Sequence, residues 1–275
     1  MNYRWVSFTT DYGTADGFVA ACKGVLAARA PGATVIDVTH QIPARDVRRG
    51  AGVLAQTAPW LPPAVHLAVV DPGVGTDRRG IAVVTGRGVL VGPDNGLLLP
   101  AADALGGVTA AYELTDPAFH LPSVSATFHG RDVFAPVTAA LCTGLDPARL
   151  GAGVDPAGLV RLPRPTVHTG PGTLRAEVLS VDGFGNVQLA ATAADLAAAG
   201  LSGEVDIRTD AGTTPARTGR TFADVPVGAP VLITDSAGQI AVAVNRGDAA
   251  ALLRMAPGQV VTVRSRPSGE TALPW

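Results

Sequence analysis

The chain has 275 residues, 47% of them apolar and 16% charged, with a formal net charge of −2. That composition leaves room for one large domain or two unequal ones with a sizeable core, and it excludes an intrinsically disordered chain. Nearly all the positive charge is arginine, Lys23 being the only lysine, and no basic run reaches five residues. Nucleic-acid backbones and anionic membranes are therefore not expected partners.

The opening MNYRWVSFTTDYG is too short and polar for a signal peptide, and no apolar run approaches the ~18 residues of a membrane helix. A cytoplasmic protein is expected. Residues 3–11, YRWVSFTTD, read as a strand ending at Asp11. DGFVAACKGVLAARAPG has helical spacing at Phe18, Cys22, Val25 and Leu26 and stops at Pro31-Gly32. ATVIDVTH reads as a second strand, DVRRGAGVLAQTAPWLP as a second helix, and AVHLAVVD as a third strand, apolar on both faces as a covered parallel strand should be. GIAVVTG and GVLVGPDNG, joined by a short turn, read as a hairpin, and DVFAPVTAALCTG as a further helix. The alternation predicts an α/β sandwich with a mostly parallel sheet over residues 1–160.

The texture changes at LVRLPRPTVHTGPG, where three prolines and two glycines interrupt the pattern; a linker is expected over 161–172. From 173 to 275 short β-like runs follow at close intervals: LRAEVLSVD, GNVQLAA, EVDIRT, APVLITDS, QIAVAVN and QVVTVRS. They predict a small antiparallel β-barrel, with one helical patch at TAADLAAAG. Cys22 and Cys142 lie far apart and outside any CxxC spacing, so both are expected to be buried small residues.

Several stretches carry chemistry. Asp11 and Asp71 each end an apolar strand before a glycine-containing turn, where a parallel sheet forms its ligand crevice. Asp16 offers an N-cap for the first helix, which would free Asp11. VVDPGVGTDRRG, residues 69–80, half matches a dinucleotide loop, but Arg78 stands at the third glycine position and a strand follows instead of a helix, so no pyrophosphate site is expected. A phosphate site using Arg78 or Arg79 stays open on these residues alone. In FHGRDVF, His129 precedes a helix start and is a candidate base; His40, His66, His120 and His168 lack such a context and are expected to be structural. No HExxH-like spacing offers a metal site. DGFGN, residues 182–186, sets Asp182 and Asn186 around Phe184 in a turn where a planar ring could stack.

Taken together, TDYGTADGFVAACKG, IDVTHQIPARDVRRGA, VVDPGVGTDRRGIAV, GPDNGLL, FHGRDVFAP, DGFGNVQ and DSAGQIAVAVNRG resemble the S-adenosylmethionine hydroxide adenosyltransferase family, whose relatives include a fluorinase and a chlorinase. The resemblance spans nearly the whole chain. It implies hydrolysis of S-adenosylmethionine to adenosine and methionine, without metal or organic cofactor, in a homotrimer whose sites form between subunits. It implies that Asp11 holds the ribose hydroxyls, Asp182 the methionine ammonium and Ser236 the methionine carboxylate. Phe184 and Asn186 are implied to contact the adenine, with Asn95 and Asn245 near the purine. Asp71, Arg78 and His129 match the trio of the hydroxide-transferring branch. Asp71 and His129 would accept hydrogen bonds from the attacking water and Arg78 would hold Asp71. The halogenases carry tyrosines in place of Asp71 and His129, and the fluorinase a serine in place of Gly130. Chloride as nucleophile, or a sensor that binds without turnover, are the alternatives.

Overall fold

A computed structural model describes residues 2–266. The chain divides into two compact units between Leu162 and Pro163.

The first unit is built from β1 (Trp5–Thr10), α1 (Phe18–Arg29), β2 (Thr34–Thr39), α2 (Val47–Thr57), β3 (Ala64–Val69), β4 (Gly80–Thr85), β5 (Gly88–Pro93), α3 (Leu99–Ala104), β6 (Ala110–Glu113) and α4 (Ala135–Cys142). Its six-stranded sheet has the order β2-β1-β3-β5-β4-β6. The pairings among β2, β1, β3 and β5 are parallel, and β4 runs antiparallel to both its neighbours. Side-chain alternation builds a core on each face. From β3, Val65, Leu67 and Val69 enter the core with residues of α1 and α4, whereas Ala68 enters the core with residues of α2 and α3. The expected mostly parallel α/β sandwich is present, with β4–β5 as its hairpin. Both cysteines are buried and free, and burial pushes their thiols up to about 12.

The second unit comprises β7 (Val167–Gly170), β8 (Thr173–Val181), β9 (Val187–Thr192), α5 (Ala193–Ala198), β10 (Glu204–Thr209), β11 (Gly212–Thr218), β12 (Pro230–Thr234), β13 (Gln239–Val244), α6 (Ala249–Leu253) and β14 (Val260–Ser265). A pairing of β14 with β8 closes the sheet into a seven-stranded barrel, with β7 added on β8. Inward residues alternate along β8 at Leu174, Ala176, Val178 and Ser180, the period-two pattern of a strand with one covered face.

Two expectations change. Residues 167–170, placed in a linker, form β7, whose backbone pairs with β8 from Val167↔Ala176 to Gly170↔Thr173. The barrel is antiparallel except at β11–β12, which is parallel at Arg217↔Val231 and Thr218↔Leu232.

Candidate active site

The crevice begins at the C-terminal ends of β1 and β3. These strands pair in parallel, with Thr10 opposite Val69, so Asp11 and Asp71 leave the sheet from neighbouring strands on the same edge. Beyond β3 the chain folds back through two tight turns: Val74 N–H donates to the Asp71 carbonyl and Thr76 N–H to the Gly73 carbonyl, both at 3.2 Å. Gly75 has φ +78°, and a Cβ there would lie 2.5 Å from the Ala126 carbonyl oxygen. Only glycine meets both conditions. The turns return Arg78 over Asp71, which explains the seven-residue spacing of carboxylate and guanidinium.

Arg78 Nε donates to both Asp71 oxygens, at 2.9 and 3.0 Å. Its Nη2 also bonds Asp71 Oδ2, and it donates to His129 Nδ1 at 3.0 Å. The guanidinium carbon lies 5.2 Å from the centre of the Phe134 ring. The Arg78 and Asp71 side chains are 12% and 5% exposed. A fork paired this way to a carboxylate in a nearly dry setting is rigid. The trio expected from separate stretches is thus joined through Arg78.

His129 stands at the N-terminus of a single π-helical turn, Gly130–Phe134, which runs into α4; such turns are frequent at functional sites. Buried Asp132 anchors this segment, pairing with Arg131 Nε at 2.6 Å and accepting the Ser125 N–H at 2.9 Å. Burial, and then the Arg78 charge, hold the His129 imidazole below its ordinary value. An arginine can only donate, so His129 Nδ1 must be the acceptor and the neutral ring carries its proton on Nε2. In this arrangement the free nitrogen of His129 is a donor, while the Asp71 carboxylate keeps acceptor lone pairs.

Asp11 Oδ2 accepts the Arg45 N–H at 2.9 Å, while Oδ1 has no protein partner among the described residues. Asp16 does not cap α1; Gly17 holds the N-cap position and no side chain bonds there. Asn95 is occupied by backbone: Nδ2 donates to the Val70 carbonyl at 2.9 Å and Oδ1 accepts from Leu97 N–H at 3.1 Å. It steadies the residue before Asp71. Arg79 pairs with the buried Asp94, Nε to Oδ2 at 3.0 Å, so neither Arg78 nor Arg79 is a free cation for a phosphate. His40, expected to be structural, is buried between Thr10 Oγ1 at 2.8 Å and Asp37 Oδ1 at 3.1 Å. It braces the residue before Asp11.

In the second unit the DGFGN turn is organised by Asp182. Its Oδ1 accepts the Phe184 and Asn186 N–H groups at 2.8 and 2.9 Å, and its Oδ2 accepts from Asn186 Nδ2 at 2.8 Å. Gly185 takes φ +81°. The turn presents Phe184 with 83% of its surface exposed. Ser236 is exposed on the next turn, shaped by Asp235 Oδ1 accepting from Ala237 and Gln239 N–H at 2.8 and 3.0 Å. Asn245 is engaged otherwise: its Nδ2 donates to the Val225 carbonyl at 2.7 Å. Asp11, Asn95, Asp71, Arg78 and His129 thus lie in the first unit, and Asp182, Phe184, Asn186, Ser236 and Asn245 in the second. Tyr12, to which no role is assigned by sequence, lies against Gly130.

Comparison with known proteins agrees with this division. Residues 6–151 match the family model described as the SAM hydroxide adenosyltransferase N-terminal domain, and residues 176–262 match its C-terminal domain. The (R)-S-adenosyl-L-methionine hydrolase of Salinispora arenicola is 61% identical, over 94% of this chain and 97% of its own. The protein of the same name from Thermus thermophilus is 45% identical, over 94% and 98%. A fluorinase from Actinoplanes is more distant, at 27% over 94% and 96%. Among solved structures, an uncharacterized conserved protein from Thermotoga maritima superposes with a TM-score of 0.89 at 32% identity, over 94% of this chain and 100% of its own. The chain belongs to the S-adenosylmethionine hydroxide adenosyltransferase family.

Proposed function

We propose that this protein hydrolyses S-adenosyl-L-methionine to adenosine and L-methionine by in-line attack of water on the ribose C5′ carbon. The observation that carries the proposal is the Asp71–Arg78–His129 constellation. As the water oxygen bonds to C5′, the C5′–S bond breaks and its electron pair returns to sulfur. The sulfonium leaves as a neutral thioether, so no general acid is needed, and neither a metal nor an organic cofactor has a step to perform. The difficulty lies in the nucleophile, since water has a pKa of about 15.7. Asp71 accepts one of its protons. The Nε2–H of His129 holds its oxygen, and Arg78 fixes both groups by its fork.

Asp11 suits the vicinal ribose hydroxyls because its free Oδ1 and the second lone pair of Oδ2 are two adjacent acceptors. Phe184 offers an aromatic face to the adenine beside Asn186, while Asp182 and Ser236 take the methionine ammonium and carboxylate. Asn95 and Asn245, whose amides also bond to backbone, are proposed to lie near the purine with their remaining N–H and oxygen lone pairs. The two hydrolases above are named for (R)-S-adenosyl-L-methionine, and we propose the (R) epimer at sulfur first. Attack occurs one bond away, at carbon, so the epimers differ in how the methionine arm is held and not in the water-activating groups.

The binding residues divide between two units of one chain. We propose that the complete site forms between subunits of a homotrimer, and that the enzyme acts in the cytoplasm without a membrane or nucleic-acid partner. Two inactive variants, Asp71→Asn and Asp182→Ala, mixed under conditions of verified subunit exchange, should regain part of the activity. Exchange with no return of activity would place the site within one chain. Incubation with substrate and excess chloride, followed by chromatography, should yield adenosine; a dominant 5′-chlorinated nucleoside would overturn the choice of nucleophile.

A further inference from the structure

Resting on the hydrolytic reading above, we infer that Tyr12 is a further residue of the nucleophile subsite, its phenolic oxygen accepting the second O–H of the attacking water and, after reaction, the 5′-hydroxyl of adenosine. Tyr12 follows Asp11 directly, and its N–H is tied back to Thr10 Oγ1 at 3.2 Å. Its ring is wedged by two others, Phe128 at 5.8 Å and 76° and Phe18 at 6.0 Å and 59° between ring planes. These contacts direct the hydroxyl at the first residue of the π-helical turn. A Cβ on Gly130 would overlap that hydroxyl and come within 3.1 Å of Cζ. The phenol therefore fills the space beside His129 that any other side chain at 130 would take.

The hydroxyl has no hydrogen-bond partner among the described residues, yet Tyr12 is only partly exposed. It also lies within electrostatic reach of Asp11, Asp71 and Arg78. Burial first, then Cys22 and the carboxylates of Asp11 and Asp71, push the phenol well above its usual range, so it stays protonated and cannot be the base. A polar atom without a protein partner at the edge of a charged cluster is a place for an ordered water or a ligand hydroxyl.

The hydrogen-bond count of the water supplies the role. An attacking water uses one lone pair on C5′. Three positions remain, one lone pair and two O–H groups. The His129 Nε2–H fills the lone pair and Asp71 takes one O–H. The other O–H becomes the 5′-hydroxyl of the product and needs an acceptor that does not remove its proton. A neutral phenolic oxygen is such an acceptor.

The test compares adenosine with 5′-deoxyadenosine, titrated calorimetrically into wild type and Tyr12→Phe. The variant removes one oxygen and keeps the ring contacts. A neutral hydrogen bond is worth about 2- to 10-fold in affinity. Tyr12→Phe should therefore weaken adenosine by about that factor, leave 5′-deoxyadenosine unchanged, and lower kcat with KM held. A purely structural role would weaken both nucleosides alike. An unchanged ratio of the two affinities overturns the inference, whether or not activity falls. Asp71→Asn, assayed in parallel, separates the layers: full activity in that variant defeats the hydrolytic site itself, whereas its inactivity beside an unchanged ratio in Tyr12→Phe defeats the tyrosine alone.

Discussion

The two sets of candidate residues are built in opposite ways. In the first unit Asp71, Arg78 and His129 hold one another: the two charged side chains are nearly dry, and a glycine turn and a π-helical turn fix their approach. In the second unit Asp182 organises its own turn and lifts Phe184 into the open, 83% exposed. Groups that meet charge developing in a transition state gain from being fixed beforehand, because no reorganisation is then needed during reaction. Groups that grip substrate contribute nearly equally before and during the reaction, which is uniform binding. Variants in the Asp71–Arg78–His129 group should therefore act on turnover, and variants in the DGFGN turn on affinity.

The largest effect is expected at Asp71. Asp71→Asn keeps the shape and loses the basic carboxylate, and should lower kcat by about 10²–10⁴-fold, the usual worth of a general base, with substrate affinity nearly intact. An equal rise in KM would erase the contrast between the units. A smaller effect is expected at His129. If its role is to donate through Nε2, His129→Gln, whose amide can also donate, should lose less turnover than His129→Ala. Equal losses would remove the donor role. The same residue sets a pH expectation. With its imidazole held low by burial and by Arg78, the ring stays neutral as pH falls through the ordinary histidine value of about 6.5. The acid limb of kcat should therefore lie below that value and move in His129→Gln.

On the other side, Phe184→Ala should weaken substrate binding by about 2- to 10-fold, the range of one aromatic contact, with kcat close to wild type. A selective fall in kcat there would show that the second unit takes part in the chemistry.

The smallest effect concerns stability. Burial, with a lesser push from Arg87, lowers His66 to about 4; it sits in β3 with Nδ1 bonded to Ser7 Oγ at 2.8 Å. The unfolded chain takes up this proton near pH 6.5 and the folded chain only near 4. The stability His66 gives is therefore complete above about 6.5 and is lost as pH falls toward 4. The histidines held low, His66, His120 and His129, all lie in the first unit. Between pH 7 and pH 5 the hydrogen-exchange protection factors, corrected for the pH dependence of the intrinsic rate, should fall more in β1 and β3 than in the barrel strands. A uniform fall would contradict this.

The parts legible in sequence are those that repeat or punctuate. The βα alternation, the β4–β5 hairpin and the break near Pro163 carry period and turn residues. α3 reads LPAADA, six residues with a proline near its start, and β11 reads GTTPART. Neither has a period to detect, and β11 becomes a strand through its pairing with β10. β7 was hidden by the prolines around it. Within the site, the trio could be named from its stretches, but the direction of the His129 hydrogen bond depends on which nitrogen meets Arg78, which only geometry decides. The backbone bond of the Asn95 amide to Val70 joins positions that no sequence spacing links. Tyr12 and Gly130 are far apart in the chain, and no spacing rule links an aromatic after one strand to a glycine before a distant helix.

The central claim is that water, held by the Asp71–Arg78–His129 group, attacks C5′. Reaction in ¹⁸O-labelled water, read by mass spectrometry of both products, tests it most directly. One labelled oxygen is expected in adenosine, at the 5′ position, and none in methionine. Unlabelled adenosine, or label in the methionine fragment, would contradict it.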